Sequence, residues 1–475
     1  MKLHQIALAV AALAVGTAHA DLPNGSAAET VVNNANANGR VVFISGASAV
    51  KKGFSGIINS LFSGTTYWFA EGAKSDYLAV AGKLAAATGT WNAGDDVIVI
   101  YRTGGGSVYG VNPVARAEAI TSLNVSDASC GSSGAGTSTS PYICTQDTRV
   151  PDAGVSDVAP FMFKAPVNTE GEIPADSLNE AELADLAATP IYGLSFGVPV
   201  TSTVPASVKF TRSLVSAIMT GNVGTWDQVD SSLTGDIVIC RRTPGSGTQA
   251  VMNMWAGNFP CSDTLANIPA DRDSTGMTWD PIARTFTHTA SYGGLVVVEN
   301  FASGDVATCL DKAVTGGTYA TKDRDGNNVT VDFGAGGHKA IGVLSMDSLG
   351  KSKTTGNWQF RSLDGAGKIV QDVAGAAPTT TGDGKFPTLA AYENGDWDLQ
   401  GWVSFNVPSR TTGNKLALAT AFLNKAQDPA ILASISDLKY VAAGIPTSGY
   451  TGAQVLDAAY LNGNQCAPYS RNYND

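Results

Sequence analysis

Charged residues are scarce in this 475-residue sequence, and histidines are scarcer. Asp, Glu, Lys and Arg together make up 15% of the chain, and only His288 and His338 lie beyond the first 20 residues. No Walker phosphate loop, HExxH zinc motif or cysteine–histidine cluster occurs. The sequence therefore predicts neither a metal site nor a bound cofactor, and it gives no motif for a metal- or nucleotide-dependent enzyme.

Long apolar segments are also missing. An apolar stretch at residues 6–15 follows Lys2 and is followed by Ala18-His19-Ala20, which is the pattern of a cleaved signal peptide over residues 1–20. That stretch is too short to span a bilayer, and no later stretch reaches about 18 apolar residues. No cysteine follows the cleavage point, so no lipid anchor is expected. We expect a soluble protein that is periplasmic or secreted.

The charge balance is acidic. Loss of Lys2 with the signal peptide changes the formal net charge from −11 to −12. An acidic surface disfavours nucleic acids and anionic membranes as partners. It does not exclude a small anion, because a few local groups can bind one. The remaining 455 residues suit two lobes better than one core.

Six cysteines lie beyond the signal peptide, which in an exported chain indicates disulfides. Cys130 and Cys144 flank one polar loop and are expected to pair. Cys240 and Cys261 stand at the two ends of one strand–loop–helix segment and form the second expected pair. Elimination leaves Cys309 with Cys466.

Three segments repeat an apolar strand, a Gly/Ser-rich loop and then a helix-like pattern. The strands are predicted at residues 41–44, 97–101 and 237–240, and their loops at residues 45–49, 102–107 and 241–247. Alternating strands and helices favour a mainly parallel α/β architecture. Backbone N–H groups at helix N-termini attract anions, and an arginine in such a loop adds a bidentate cationic partner. The sequence therefore predicts an anion site.

The loops resemble those of the phosphate-binding proteins of bacterial phosphate ABC transporters. The corresponding sequences are GASAV at residues 46–50, GGGS at 104–107, GVSD at 154–157 and RTPGSGT at 242–248. They occur in the same order as in that family, and the likeness covers most of residues 40–450 outside two insertions at residues 126–145 and 168–190. Val50 stands where the family has Thr or Ser, and Pro244 stands where it has the acid that orients the arginine.

The resemblance implies a two-lobed α/β periplasmic-binding-protein fold of type II, with lobes joined by crossover strands. Residues 21–200 and 398–475 would form the N-terminal lobe, and residues 201–397 the second lobe. It implies capture of inorganic phosphate or a similar tetrahedral oxyanion between the lobes by a monomer, with an ABC permease as partner. The implied ligand-binding residues are Ala49, Val50, Ser107, Asp157, Arg242, Ser246, Gly247 and Thr248.

Other interpretations stay open at this point. Asp157 could cap a turn, Ser107 could be ordinary loop chemistry, and Arg102 is interpreted as a surface charge. An extracellular scaffold or adhesin could keep the same fold without transport. A hydrolase would need His288 or His338 beside a serine, and residues 244–248 do not form a G-x-S-x-G nucleophile elbow. We expect a binding protein and no catalytic residues.

Overall fold

The computed structural model describes residues 21–49, 51–72, 76–131, 133–165, 167–169, 176–262, 276–373, 375–445, 454–460 and 464–471. The predicted signal peptide and Val50 lie outside the described residues. No described helix combines the length and the apolar character that a membrane span requires.

The described α-helices, in chain order, are α1 (Ala27–Ala37), α2 (Lys51–Asn59), α3 (Asn112–Arg116), α4 (Glu180–Asp185), α5 (Arg212–Met219), α6 (Gly247–Gly257), α7 (Ser303–Thr315), α8 (Leu349–Thr355), α9 (Leu389–Glu393), α10 (Gly413–Ala426) and α11 (Pro429–Ser434). Single 3₁₀ turns cover Ser107–Gly110, Asp127–Ser129, Pro160–Met162, Trp226–Gln228 and Met346–Ser348.

The first half of the described strands comprises β1 (Val41–Gly46), β2 (Phe62–Ala70), β3 (Tyr77–Leu84), β4 (Asp96–Arg102), β5 (Ile120–Leu123), β6 (Cys130–Gly131), β7 (Tyr142–Cys144), β8 (Gln146–Arg149), β9 (Ala153–Ser156), β10 (Leu186–Gly197), β11 (Pro199–Thr201), β12 (Lys209–Phe210) and β13 (Ile237–Arg242). The remainder comprises β14 (Met277–Asp280), β15 (Thr285–His288), β16 (Val296–Asn300), β17 (Thr318–Lys322), β18 (Asn328–Asp332), β19 (Lys339–Gly342), β20 (Leu344–Ser345), β21 (Trp358–Arg361), β22 (Gly365–Val370), β23 (Thr379–Gly382), β24 (Gln400–Pro408), β25 (Ala442–Gly444), β26 (Ala458–Tyr460) and β27 (Tyr469–Arg471).

One mixed sheet organises the first lobe, in the order β20-β10-β24-β9-β1-β4-β3-β2-β7-β6, with β25 beside β10. Its centre is parallel, because β1 pairs with both β4 and β9 in that sense. Every residue of β4 and all but the first residue of β1 are buried. Such continuous apolar runs suit central strands that are covered on both faces.

A second mixed sheet organises the other lobe, in the order β12-β22-β21-β11-β19-β13-β16, with β23 beside β22. Strand β13 is parallel to β16 and to β19, and α7 packs on these strands. Strands β14, β15, β18 and β17 form a smaller separate sheet. The structure therefore has the predicted α/β class, with one main sheet in each of two lobes.

Fewer of the strand pairs are parallel than the sequence predicted. Only the strand–loop–helix segments supply parallel pairs at the sheet centres, whereas hairpins such as β2–β3 and the β10–β24 pair are antiparallel. Hairpins need only short connections, so they extend a sheet without a crossover helix.

Strands cross between the lobes at one place. Strand β10 of the first sheet ends at Gly197, and the chain continues through Val198 into β11 of the second sheet. The return strand β24 begins at Gln400, which pairs with Ser195 of β10. A third crossing was not predicted: β19 of the second sheet leads directly into β20, which pairs with the end of β10. These adjacent strands form the connection between the two lobes.

Two of the three predicted disulfides are wrong. Cys130 and Cys144 are bonded as expected, from directly paired positions of β6 and β7. Cys240 is bonded to Cys309 and Cys261 to Cys466 instead. Cys240 lies within β13, on which α7 and its Cys309 pack, whereas Cys261 follows the far end of α6. Proximity along the chain could not show which helix covers which strand. The bridges are consistent with export.

Candidate functional site

Four loops meet where the lobes face each other. Three of them follow the adjacent strands β1, β4 and β9, whose carboxyl ends lie level because Ser45 pairs with Arg102 and Gly46 with Val155. The fourth follows β13 in the second lobe. Clefts at the carboxyl ends of parallel strands are the usual ligand positions of α/β proteins. The parallel register therefore brings the sequence-predicted loops together.

Asp157 is the acidic residue at this interface. It is 1% exposed, and its Oδ2 accepts a 3.1 Å hydrogen bond from the Thr248 hydroxyl. Its Oδ1 is buried and has no hydrogen-bond partner among the described residues. Burial raises the pKa of Asp157 to about 7, while the Thr248 hydroxyl, the Arg242 charge and the Ser107 hydroxyl oppose that shift. A buried acceptor without a partner is costly and unusual.

Ser107 and Gly247 bring the second and fourth loops close together. The Ser107 hydroxyl accepts a hydrogen bond from the Asp157 amide at 3.2 Å. A Cβ atom at position 247 would lie 2.4 Å from Ser107 Oγ and 2.7 Å from the Asp157 Cβ. Only glycine fits there. The Val108 amide also donates to the Gly245 carbonyl at 2.9 Å, so the lobes are hydrogen-bonded through their main chains.

Helix α6 presents its N-terminus to the same interface. Ser246 is its N-cap, with a hydroxyl that accepts from the Gln249 amide, and Gly247 and Thr248 form its first turn. All three residues are buried. The first amides of a helix lack intrahelical partners and carry the positive end of its dipole. The positive end of α6 thus lies beside the Asp157 carboxyl.

Arg242 is the cation of the site and is 1% exposed. Its Nη1 donates to Ser48 Oγ of the first lobe at 2.9 Å and to Ser303 Oγ of the second at 3.0 Å. Burial lowers the pKa of Arg242 to about 10, against the raising effect of Asp157, Asp305 and Asp76. The guanidinium is therefore charged at neutral pH and connects both lobes.

Main-chain carbonyls orient Arg242 in the absence of an acid at position 244. Its Nε donates to the Asn300 carbonyl at 3.2 Å and its Nη2 to the Phe301 carbonyl at 2.6 Å. Arg241 does not join it, because neighbouring strand residues point to opposite faces; its Nε donates to the Arg242 carbonyl. The carbonyls at the end of β16 and in the loop after it thus orient Arg242 in place of the acid that Pro244 replaces.

The burial of Arg102 contradicts its interpretation as a surface charge. It is fully buried, donates to the Gly104 and Thr121 carbonyls at 3.1 Å each, and lies 4.0 Å from the ring centroid of Tyr109. Carbonyl acceptors and an aromatic face stabilise a buried guanidinium. Arg102 therefore supports the second loop from behind.

The remaining predicted site residue on the first lobe is Ala49, which is buried beside the start of α2. Sequence reasoning missed Ser303 and the carbonyls of Asn300 and Phe301. A signal was present in the sequence: the strand at residues 296–300 begins with three valines and is followed by Phe-Ala-Ser-Gly-Asp and a helix, which is a further strand–loop–helix segment.

The two histidines required by a hydrolase lie elsewhere. Their ring centroids are 4.2 Å apart, and they line a separate cavity of the second lobe with Asp236. Within the described ranges, no group of three or more His, Cys, Asp or Glu residues is placed to bind a metal ion.

No family model matches this chain, and no curated protein does. Solved structures that it resembles include PstS from Borrelia burgdorferi, at 11% identity over 86% of this chain and all of that one, with a TM-score of 0.36. The ancestral soluble variant of the human phosphate-binding protein has 12% identity, with coverage of 90% and 97% and a TM-score of 0.41. A phosphate-binding protein from Stenotrophomonas maltophilia has 15% identity, with 83% coverage of each chain and a TM-score of 0.35.

Proposed function

We propose that this protein captures inorganic phosphate, or a closely similar tetrahedral oxyanion such as arsenate, between its two lobes. One observation carries the proposal: Asp157 Oδ1 is buried without a partner beside Arg242 and the N-terminus of α6. Phosphate at neutral pH keeps a proton on at least one oxygen, and that O–H can donate to Oδ1. Its other oxygens would accept from the guanidinium, the serine hydroxyls and the helix amides.

The acid and the cation have different tasks in this proposal. Arg242 and the amides of Gly247 and Thr248 supply positive charge and donors, which any oxyanion would use. The ionised Asp157 carboxylate can only accept hydrogen bonds, so this form would favour an oxyanion that carries a proton. Sulfate has none at neutral pH, and it would leave the carboxylate both unpaired and repelled.

Entry of the anion requires the lobes to separate. Asp157 and Thr248 now bond each other directly, and Ser107 lies against Gly247. Opening at the crossing strands β10, β24 and β20 would free these groups, and closure around an anion would let both lobes bind it. A ligand that contacts both lobes shifts the equilibrium towards the closed form.

The proposal includes the biological setting. The protein would act after export, in the periplasm or outside the cell, as a monomeric binding protein without enzymatic activity. Its closed form would deliver phosphate to an ABC permease. The resemblance of the loops and the disulfides support this setting.

Calorimetry on the purified chain lacking residues 1–20 tests the central claim. Phosphate and arsenate should bind with similar affinity, and sulfate should bind at least about tenfold more weakly, which corresponds to 1.4 kcal/mol. Absence of phosphate binding in both reduced-salt and physiological buffers would refute the proposed function.

A further inference from the structure

A large cavity opens between the two lobes. Its volume is about 840 Å³, and both serines that accept from the guanidinium, Ser48 and Ser303, line its wall. Helices α2 and α7 both begin at this cavity, with Lys51 at the start of α2 and Ser303 at the start of α7. The volume falls in the range of small-molecule sites, roughly 300–1,000 Å³. One tetrahedral anion would leave most of it unused.

Lysines from both lobes line the cavity. Lys51 and Lys52 belong to α2 of the first lobe, and Lys351 belongs to α8 of the second. Burial lowers the pKa of Lys51, and the charge of Lys351 lowers it further, although Asp76 opposes this. Burial likewise lowers the pKa of Lys351, where Lys52 adds to the effect and Asp347 opposes it. These ammonium groups therefore repel one another across the space between the lobes.

Lys351 lacks a direct partner. It makes no hydrogen bond or ion pair with any residue that the structure describes, whereas Lys52 pairs with Asp437 at 3.0 Å. Its Nζ lies 3.9 Å from where a Cβ of Gly304 would be, in the first turn of α7. A cation at the positive end of a helix is unfavourably placed. An anion between Lys351 and that helix end would contact both favourably.

The acidic side chains that line the cavity do not supply this anion for Lys351, because most of them bond to other neighbours. Asp305 Oδ2 accepts from Thr321 Oγ1 at 2.8 Å and from the Ala302 amide at 3.3 Å. Asp347 Oδ1 accepts from the Ser345 hydroxyl at 2.5 Å. Asp76 raises the pKa of Lys51, which belongs to the same lobe.

We propose that this cavity binds a second anionic group of the ligand, so that the protein prefers a condensed phosphate over orthophosphate. The inference rests on the proposed phosphate site, which the cavity adjoins through Ser48 and Ser303, the two serines that accept from Arg242. One phosphoryl group would lie at Asp157 and Arg242, and the next would lie between Lys351, Lys51 and the start of α7. A phosphate ester with a neutral substituent would gain nothing from these cations.

Calorimetry with three probes tests the inference: orthophosphate, pyrophosphate and glycerol phosphate, which has bulk but no second charge. Pyrophosphate should bind at least tenfold more tightly than orthophosphate, and glycerol phosphate should not. Lys351→Gln should remove the pyrophosphate gain and leave orthophosphate affinity unchanged. The matched control is Lys425→Gln, on an exposed position of α10, which should keep the gain.

The outcomes separate the two proposals. Equal affinities for orthophosphate and pyrophosphate would overturn the second subsite and leave the proposed function intact, as would a pyrophosphate gain that survives in Lys351→Gln. Failure of orthophosphate and pyrophosphate alike to bind would overturn both. Thermal unfolding without ligand checks that Lys351→Gln folds; because the substitution relieves repulsion, its midpoint should equal or exceed that of the wild type.

Discussion

The hydroxyl of Thr248 donates a 3.1 Å hydrogen bond to Oδ2 of Asp157 across the interface between the lobes. Asp157 directly follows β9 of the first sheet, Thr248 lies in α6 after β13 of the second sheet, and 91 positions separate them in the sequence. The bond satisfies one carboxylate oxygen and leaves Oδ1 without a partner. Asp157 is therefore held in place on one side and open to a donor on the other.

Selectivity between phosphate and sulfate should depend on Asp157. A buried group without its partner costs about 1–3 kcal/mol, and more when it is charged. We expect the wild type to prefer phosphate at least about tenfold and Asp157→Asn to narrow that ratio, because the amide can donate as well as accept. Titration of both anions into both proteins measures the ratio, and an unchanged ratio would show that Asp157 does not contact the anion.

Stability without ligand should fall as the pH rises from about 4 to about 7. The pKa of Asp157 is raised from 3.8 to about 7, so the folded state holds a proton that the unfolded chain releases in this window. The loss is at most about 4 kcal/mol, since each unit of pKa is worth about 1.4 kcal/mol. Arg242 and Asp347 also act on this carboxyl.

The variant Asp157→Asn isolates the contribution of Asp157 to the pH dependence of stability. Glu393 also has a pKa raised to about 7, by burial and then by Asp457, so the wild type alone cannot assign the effect. Denaturant unfolding at pH 5 and pH 8 in anion-poor buffer should show a smaller pH difference for the variant. The same difference in both proteins would contradict the assignment.

Several elements of this site could be predicted from sequence because their causes are local. Apolar runs followed by Gly/Ser loops placed β1, β4, β13 and α6 within a few residues, and those loops do meet. The carbonyl partners of Arg242 and the burial of Arg102 could not be predicted, since both depend on segments distant in the chain. Disulfide partners depend in the same way on which helix covers which strand.

Arg242→Ala should weaken phosphate binding far more than Arg149→Ala. Removing a charged partner from a closed cleft costs roughly 2–5 kcal/mol, whereas an exposed pair contributes about 0–1 kcal/mol. Arg149 is a suitable control because it is partly exposed and forms an ion pair with Asp147 on its own strand. Arg242→Lys keeps the positive charge but loses the planar, bidentate guanidinium. Its affinity for phosphate should therefore fall between those of Arg242→Ala and Arg149→Ala. Calorimetry gives the affinities, and equal losses at positions 242 and 149 would place the anion elsewhere.

Arg102→Ala should act on stability instead. It removes a fully buried side chain and leaves the Gly104 and Thr121 carbonyls without their donor. We expect a loss of about 2–4 kcal/mol in the free energy of unfolding, measured with urea. Anion affinity of the folded fraction should fall much less than in Arg242→Ala. An Arg102→Ala protein that is stable but no longer binds phosphate would show that Arg102 contributes to the anion site and not to stability.

The connectivity of the disulfides has a consequence for biogenesis. Cys261 lies inside the loop closed by Cys240 and Cys309, and its partner Cys466 lies outside it, so the two bridges interleave. A chain entering an oxidising compartment N-terminus first presents Cys240 and Cys261 together, before either correct partner arrives. Early oxidation would join these two, and thiol–disulfide exchange would then have to correct the pairing. The yield of active protein should accordingly follow the supply of a disulfide isomerase more closely than the supply of oxidant.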